Sequence, residues 1–256
     1  MAAVREGGMS GALHVVGLSG GKDSTALALA LLDREPREYA YVCTPTGDEL
    51  PEMEAHWNRL AELLGQPLVR LSSGKTLNSL IEKYGALPNW RQRWCTRELK
   101  IEPYRKWLTE QARTRDVVSY IGLRADEEDR EGVNYANELD LFARKIVSRF
   151  PLREWGWGLA EVWDYLDERG VAIPARTDCG KCYAQQLIQW RDLLFKHPDR
   201  YAEAEKQEAD TGHTFRSPGR DTWPAALKDL RKEFERGRPL RERKDERGKV
   251  CRVCSL

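Results

Sequence analysis

Along the first 155 residues, short apolar runs alternate with longer stretches in which apolar positions recur at helical spacing. Residues 13–18, Leu-His-Val-Val-Gly-Leu, are a compact, largely apolar run, which predicts a buried strand. Further strands are predicted at 39–43, 68–71, 117–123 and 145–150, and helices at 25–32, 51–64, 76–84 and 97–110. The helix at 51–64 has Pro51 in its first turn, Glu52 and Glu54 at its positive end, and Gly65 to stop it. Strands alternating with helical runs predict an α/β fold over residues 1–155: a Rossmann-like, mainly parallel sheet flanked by helices.

Past residue 155 the strand signal fades. Leu159, Val162, Trp163 and Leu166 share one face of a helix at 158–170. Helices are also predicted at 182–196 and 225–237, with a loop at 210–222 and a polar tail. Residues 156–256 are therefore expected to be a helical region packed on the first domain, carrying a cysteine metal site.

Composition narrows the classes. Apolar residues make up 41% of the 256, and 42 basic against 41 acidic residues leave a charge of +1. No bulk field announces a polyanionic partner. No stretch reaches the roughly 20 apolar residues of a membrane span, and no secretory signal is visible, so a cytoplasmic protein without a membrane partner is expected. In that compartment six cysteines favour metal or redox chemistry over disulfides.

The sharpest local signal is Ser19-Gly20-Gly21-Lys22-Asp23-Ser24, between the first strand and the first helix. Paired glycines allow a tight turn and close approach of a ligand, and free amides at a helix N-terminus hold oxyanions. Lys22 adds a mobile positive charge, and the hydroxyls of Ser19 and Ser24 add donors. Asp23 invites either a magnesium ion or a structural hydrogen bond. The string is neither the usual kinase P-loop nor the dinucleotide fingerprint. An exposed, capped turn is the plainer alternative to a phosphate site.

This loop resembles the PP-loop of ATP pyrophosphatases. The chain as a whole resembles the phosphoadenosine phosphosulfate (PAPS) reductase family, within the adenine nucleotide alpha hydrolase-like superfamily. Three more stretches carry the resemblance, in family order: residues 46–52 (Thr-Gly-Asp-Glu-Leu-Pro-Glu), 94–100 (Trp-Cys-Thr-Arg-Glu-Leu-Lys) and 122–127 (Gly-Leu-Arg-Ala-Asp-Glu). It implies nucleotide contacts from Ser19, Gly20, Gly21, Lys22, Asp23, Ser24, Thr46, Asp48 and Arg124, with Lys22, Asp23, Lys100 and Arg124 as the catalytic set. Lys100 and Arg124 also have a physical rationale, because a leaving phosphate needs positive charge beside it.

Cys179-Gly180-Lys181-Cys182 and Cys251-Arg252-Val253-Cys254 are two CxxC pairs. Their spacing alone suits a four-thiolate zinc site. The resemblance instead implies a [4Fe-4S] cluster on Cys95, Cys179 and Cys182, with Cys251 or Cys254 as the fourth ligand. Cys43 ends an apolar strand and reads as a buried hydrophobe. True PAPS reductases carry a reactive cysteine in a Glu-Cys-Gly-Leu-His context near the C-terminus; this chain has Cys251 and Cys254 there without that context.

Trp90 and Trp94 interleave with Arg91, Arg93 and Arg97, a pattern suited to stacking bases and neutralising phosphates, or to packing a helix on the sheet. Three functions follow. The first is a PP-loop enzyme that adenylates an acceptor with ATP and Mg2+, as in thiolation of RNA, DNA or a small molecule. The second is a sulfonucleotide reductase acting on PAPS or its unphosphorylated counterpart, APS. The third is a nucleotide-sensing or nucleic-acid-binding module. The oligomeric state stays open, a homodimer being one option.

Overall fold

A computed structural model describes residues 11–132 and 140–240. Five strands form one sheet in the order β3-β2-β1-β4-β5, every pair parallel. They are β1 (Leu13–Gly17), β2 (Ala40–Cys43), β3 (Val69–Arg70), β4 (Val117–Tyr120) and β5 (Ile146–Arg149). The central strands are buried on both faces, as their apolar runs require.

The helices of the first half are α1 (Lys22–Arg34), α2 (Pro51–Leu63), α3 (Leu77–Tyr84), α4 (Trp94–Thr96) and α5 (Glu102–Gln111). A π turn over Arg97–Ile101 joins α4 to α5. After β5 come α6 (Pro151–Glu154), α7 (Leu159–Glu168), α8 (Leu187–Lys196), α9 (Pro198–Thr211) and α10 (Leu227–Glu235).

Three apolar clusters hold the layers. One face of the sheet packs on α1, α2 and α7, with Val162 and Leu166 against the same core as Leu27 and Leu31. The other face packs on α5 through Tyr104 and Leu108. The third cluster joins α3 and the π turn to α8, α9 and α10 around Trp190, Tyr201 and Phe215. Of the helices after residue 155, α7 thus shares a core with the strands, whereas α8, α9 and α10 share one with α3 and the π turn. Among the described residues no helix is long and apolar enough to cross a membrane.

Chain order and strand order together fix the position of the site. From β1 the chain moves outward to β2 and β3, then returns to β4 on the other side of β1. The carboxyl ends of β1 and β4 therefore border the crevice where an open parallel sheet binds ligands.

Candidate functional site

The loop of residues 18–21 leaves β1 at this crevice and starts α1. Gly20 has φ +84°, and a Cβ there would sit 2.2 Å from Met53 Cε and 2.8 Å from Trp57 Nε1. Only glycine meets both demands. Met53, His56, Trp57 and Leu60, the buried stripe of α2, support the loop from beneath. The Trp57 indole donates to the Ser19 carbonyl at 3.3 Å. His56 Nε2 lies 3.1 Å from the Gly20 carbonyl; a carbonyl only accepts, so Nε2 carries the proton. Burial lowers the His56 pKa, which fits the neutral ring.

The two serines brace the turn. Ser24 Oγ donates to the Gly21 carbonyl at 3.1 Å and accepts from the Gly20 amide at 3.1 Å. Ser19 Oγ accepts from the Gly21 amide at 3.3 Å and lies 3.0 Å from Ser24 Oγ. The amides of Lys22, Asp23 and Ser24, in the first turn of α1, have no carbonyl a turn behind them inside the helix and can serve an anion.

Across the crevice, the loop after β4 presses on the same helix start. Gly122 permits this, since a Cβ there would lie 3.1–3.2 Å from the backbone of Asp23 and Ser24. Two residues on, Arg124 is fully buried. Its Nη1 donates to both oxygens of Asp23 (3.0 and 3.1 Å), and its Nε donates to Asp126 Oδ1 at 2.8 Å. Glu127 stands 3.9 Å from Nη2, which makes no hydrogen bond. Burial lowers the Arg124 pKa, but the Asp23 and Glu127 carboxylates more than offset it, so the net direction is upward and the guanidinium stays charged. Lys22 Nζ is 3.4 Å from Asp23 Oδ2. Both Asp23 oxygens thus accept from Arg124 with an ammonium alongside, the structural hydrogen bonding that its place in the loop allows.

A second cluster lies behind the β2 end. Thr46, Lys100, Cys95, Cys179, Cys182 and Tyr183 line a narrow cleft open to solvent. Cys95 comes to it from α4 and Lys100 from the π turn that follows. Burial, then the neighbouring Cys179, pushes the Cys95 thiol up. Thr46 is already committed: its amide and hydroxyl donate to Glu49 Oε1 at 2.6 and 2.7 Å.

Asp48 is buried and turned toward the CxxC segment. Its Oδ2 accepts from the Lys181 amide at 2.9 Å, its carbonyl accepts from the Gly180 amide at 2.6 Å, and Lys181 Nζ lies 3.1 Å from Oδ1. Burial raises the Asp48 pKa against the pull of that ammonium. Lys181, fully buried, also donates to Asn78 (2.7 Å) and Glu203 (2.6 Å). Arg176 holds the carbonyls of Cys179 and Gly180 at 2.6 and 3.2 Å. Residue 177 approaches the glycine-rich loop, with Thr177 Oγ1 3.5 Å from where a Gly21 Cβ would be. One short segment, 176–182, thus spans from the glycine-rich loop to the thiols.

The expected metal site is not formed by the described residues. Cys95, Cys179 and Cys182 share the cleft, yet among the described residues no three His, Cys, Asp or Glu side chains converge to hold an ion. The turn between Cys179 and Cys182 is pinned on Asp48 with Lys181 pointing inward, so the pair is positioned by that contact. Cys251 and Cys254, the remaining expected ligands for zinc or an iron–sulfur cluster, lie outside the described residues. Cys43 is fully buried and its thiol is pushed up to about 12, as expected of a packed hydrophobe.

A family model for the phosphoadenosine phosphosulfate reductase domain matches residues 14–177, which span β1 to Thr177 and include the loop, Arg124 and Cys95. The chain belongs to this family. The PAPS reductase region thus contains both the glycine-rich loop and the approach to the CxxC turn. An uncharacterised protein of Methanocaldococcus jannaschii is 27% identical over 152 residues, which are 59% of this chain and 31% of that protein. The chain therefore spans about a third of that relative's length. Among solved structures, a PAPS reductase from Candida auris in complex with phosphate aligns over 62% of this chain and 74% of its own, at 15% identity and a TM-score of 0.47. A predicted subunit of a tRNA methyltransferase from M. jannaschii aligns over 62% and 89%, at 20% identity and a TM-score of 0.32.

Sequence reading missed His56, Trp57, Lys181 and Arg176. The first two fall on an apolar helical stripe, a detectable signal for burial but not for loop support. Lys181 looks like an ordinary surface lysine until the fold brings Asp48 and Glu203 around it.

Proposed function

We propose that this PAPS reductase family member binds a sulfonucleotide, PAPS or APS, and releases sulfite by thiol attack. One observation supports the reading above others: the segment 176–182 ties a phosphate-type helix N-terminus to a cleft lined by three cysteines. The phosphate oxygens would rest on the first amides of α1 and on Lys22, with Arg124 fixing the helix start through Asp23. The sulfonyl end would then extend toward Lys100 and the thiols.

The chemistry balances with two cysteines. A thiolate attacks the sulfonyl sulfur, and the sulfur–oxygen bond to the nucleotide breaks. The nucleotide leaves through its phosphate oxygen with the electron pair, its charge met by Lys22 and Lys100. A second thiolate attacks the first cysteine's sulfur, forming a disulfide and expelling sulfite. Two thiols lose two protons and two electrons, sulfur(VI) becomes sulfur(IV), and an external dithiol must reduce the disulfide. The pushed-up thiol of Cys95 makes it a poor first nucleophile, so Cys179 or Cys182 fits that role better. An iron–sulfur cluster on these thiols would supply an electrostatic partner for the nucleotide; the described residues do not complete its ligand set, and no step above depends on it.

Incubating the protein with APS or PAPS and dithiothreitol, and measuring sulfite, tests this reading. Sulfite release that disappears in Cys179→Ser or Cys182→Ser supports it. No sulfite from either nucleotide overturns it. A second reading, ATP-dependent adenylation of an acceptor, is favoured by the Ser19–Ser24 string itself, and pyrophosphate release from ATP with no sulfite from APS would establish it instead.

A further inference from the structure

Of the two tryptophans beside the basic block, the structure buries one and presents the other. Trp94 packs in the third apolar cluster, whereas Trp90 is 64% exposed. A large indole left in water requires an explanation, and its neighbours supply one. Arg91 lies over one face of the Trp90 ring, 4.7 Å from its centroid. The turn between α3 and α4 that carries both is braced, because the Asn89 side chain accepts from the amides of Arg91 (2.9 Å) and Gln92 (3.0 Å). Ring and guanidinium are thus presented at little further entropic cost.

The turn adjoins the thiol cleft. Pro88 is part of the cleft lining, and the charge of Arg93 opposes the burial-driven rise in the pKa of Tyr183, another lining residue. From residue 85 to 97 the chain has three arginines and no carboxylate. The next residue, Glu98, is buried beneath Lys75 at 2.8 Å, Lys83 at 3.9 Å and Arg97 at 3.8 Å, so three cations surround one anion. Arg97 also shares Glu102 at 3.6 Å. The surplus charge on this face is positive.

We propose that Trp90 and Arg91 form a stacking platform for single-stranded nucleic acid at the mouth of the cleft. A base would lie on the open face of the indole, and the flanking phosphates would meet Arg91, Arg93 and Arg97. A duplex does not fit the geometry, because its bases are stacked away from a ring projecting from a turn. The inference does not depend on which nucleotide the PP-loop takes.

Fluorescence anisotropy of a labelled 20-nucleotide single strand, DNA and RNA in parallel, tests it on the full chain. Wild-type binding is expected to weaken with salt at a log–log slope of about −2, the value for three phosphate contacts at ~0.7 each. Trp90→Ala should weaken binding about 5- to 160-fold, the range for loss of one base stack. Trp90→Phe should recover much of this, and both variants should keep wild-type affinity for adenine nucleotide. The proposal is overturned if no strand binds at low salt, or if Trp90→Ala binds like wild type. It is also overturned if polyglutamate binds with the same Trp90 dependence and oligonucleotides do not, which would assign the face to an acidic protein.

Discussion

Arg124 Nη1 donates to both carboxylate oxygens of Asp23 across 101 positions of sequence, tying the end of β4 to the start of α1. The two partners are unequally buried: Arg124 is fully covered, whereas the Asp23 side chain is 21% exposed. Removing the carboxylate therefore takes away both hydrogen bonds of Nη1 and leaves the buried guanidinium with Asp126 at 2.8 Å and Glu127 at 3.9 Å. Asp23→Ala should cost about 2–4 kcal/mol in urea unfolding, close to the penalty for breaking a buried pair. Arg124→Met should cost less, since Asp23 can rehydrate. A double-mutant cycle should give a coupling of about 1–3 kcal/mol.

Gly122 and Gly20 make a second contrast. A Cβ on Gly20 meets flexible Met53 and must also adopt φ +84°, so Gly20→Ala combines backbone strain with overpacking and should cost roughly 2–4 kcal/mol. A Cβ on Gly122 instead meets the backbone of Asp23 and Ser24 at 3.1–3.2 Å. Those atoms can give only by moving the helix start. Gly122→Ala should lower adenine-nucleotide affinity at least about tenfold with a smaller loss of Tm than Gly20→Ala.

Lys181→Met should destabilise by about 3 kcal/mol, because it leaves Asp48 buried without its ammonium. It should also loosen the CxxC turn. Cys179 and Cys182 should then react faster with a thiol reagent such as DTNB under native conditions, whereas buried Cys43 should stay protected.

Much of this was legible from sequence, and the reasons are physical. The apolar runs at 13–18 and 39–43 became β1 and β2 because parallel strands covered on both faces read as near-continuous apolar runs. The stretch at 97–110 appears as a helix in sequence, but the structure starts at Trp94 and inserts a π turn over Arg97–Ile101, which no periodicity of 3.6 discloses. The helix expected at 182–196 begins only at Leu187, since the CxxC backbone is spent on Asp48 instead of on helical bonds. Helix α9 was missed altogether, its polar outer face hiding Tyr201 and Ala204. The loop Ser19–Ser24 was recognisable because its chemistry is local. The Lys181–Asp48 pair was not, because it exists only after folding.

Glu208 provides a pH test. Its carboxylate accepts from the amides of Phe215 (2.9 Å) and Leu227 (2.6 Å), yet burial raises its pKa to about 7. A carboxyl whose folded pKa exceeds its ordinary value of 4.5 stabilises the protein below pH 4.5, and that stability is lost as pH rises to about 7. The loss should be at most about 3 kcal/mol. The lowered pKa of His56 acts in the opposite sense, adding stability as pH rises toward 6.5. Comparing Glu208→Gln with wild type isolates the first effect: the variant should lack the decline between pH 4.5 and 7.

The central claim is that the first turn of α1, with Lys22, gathers the phosphates of an adenine sulfonucleotide. Isothermal titration of the full chain with APS measures this directly, apart from any turnover. The account predicts one-to-one binding that weakens at least about tenfold in Lys22→Ala. Heat absent from the wild-type titration, or unchanged in the variant, would contradict it.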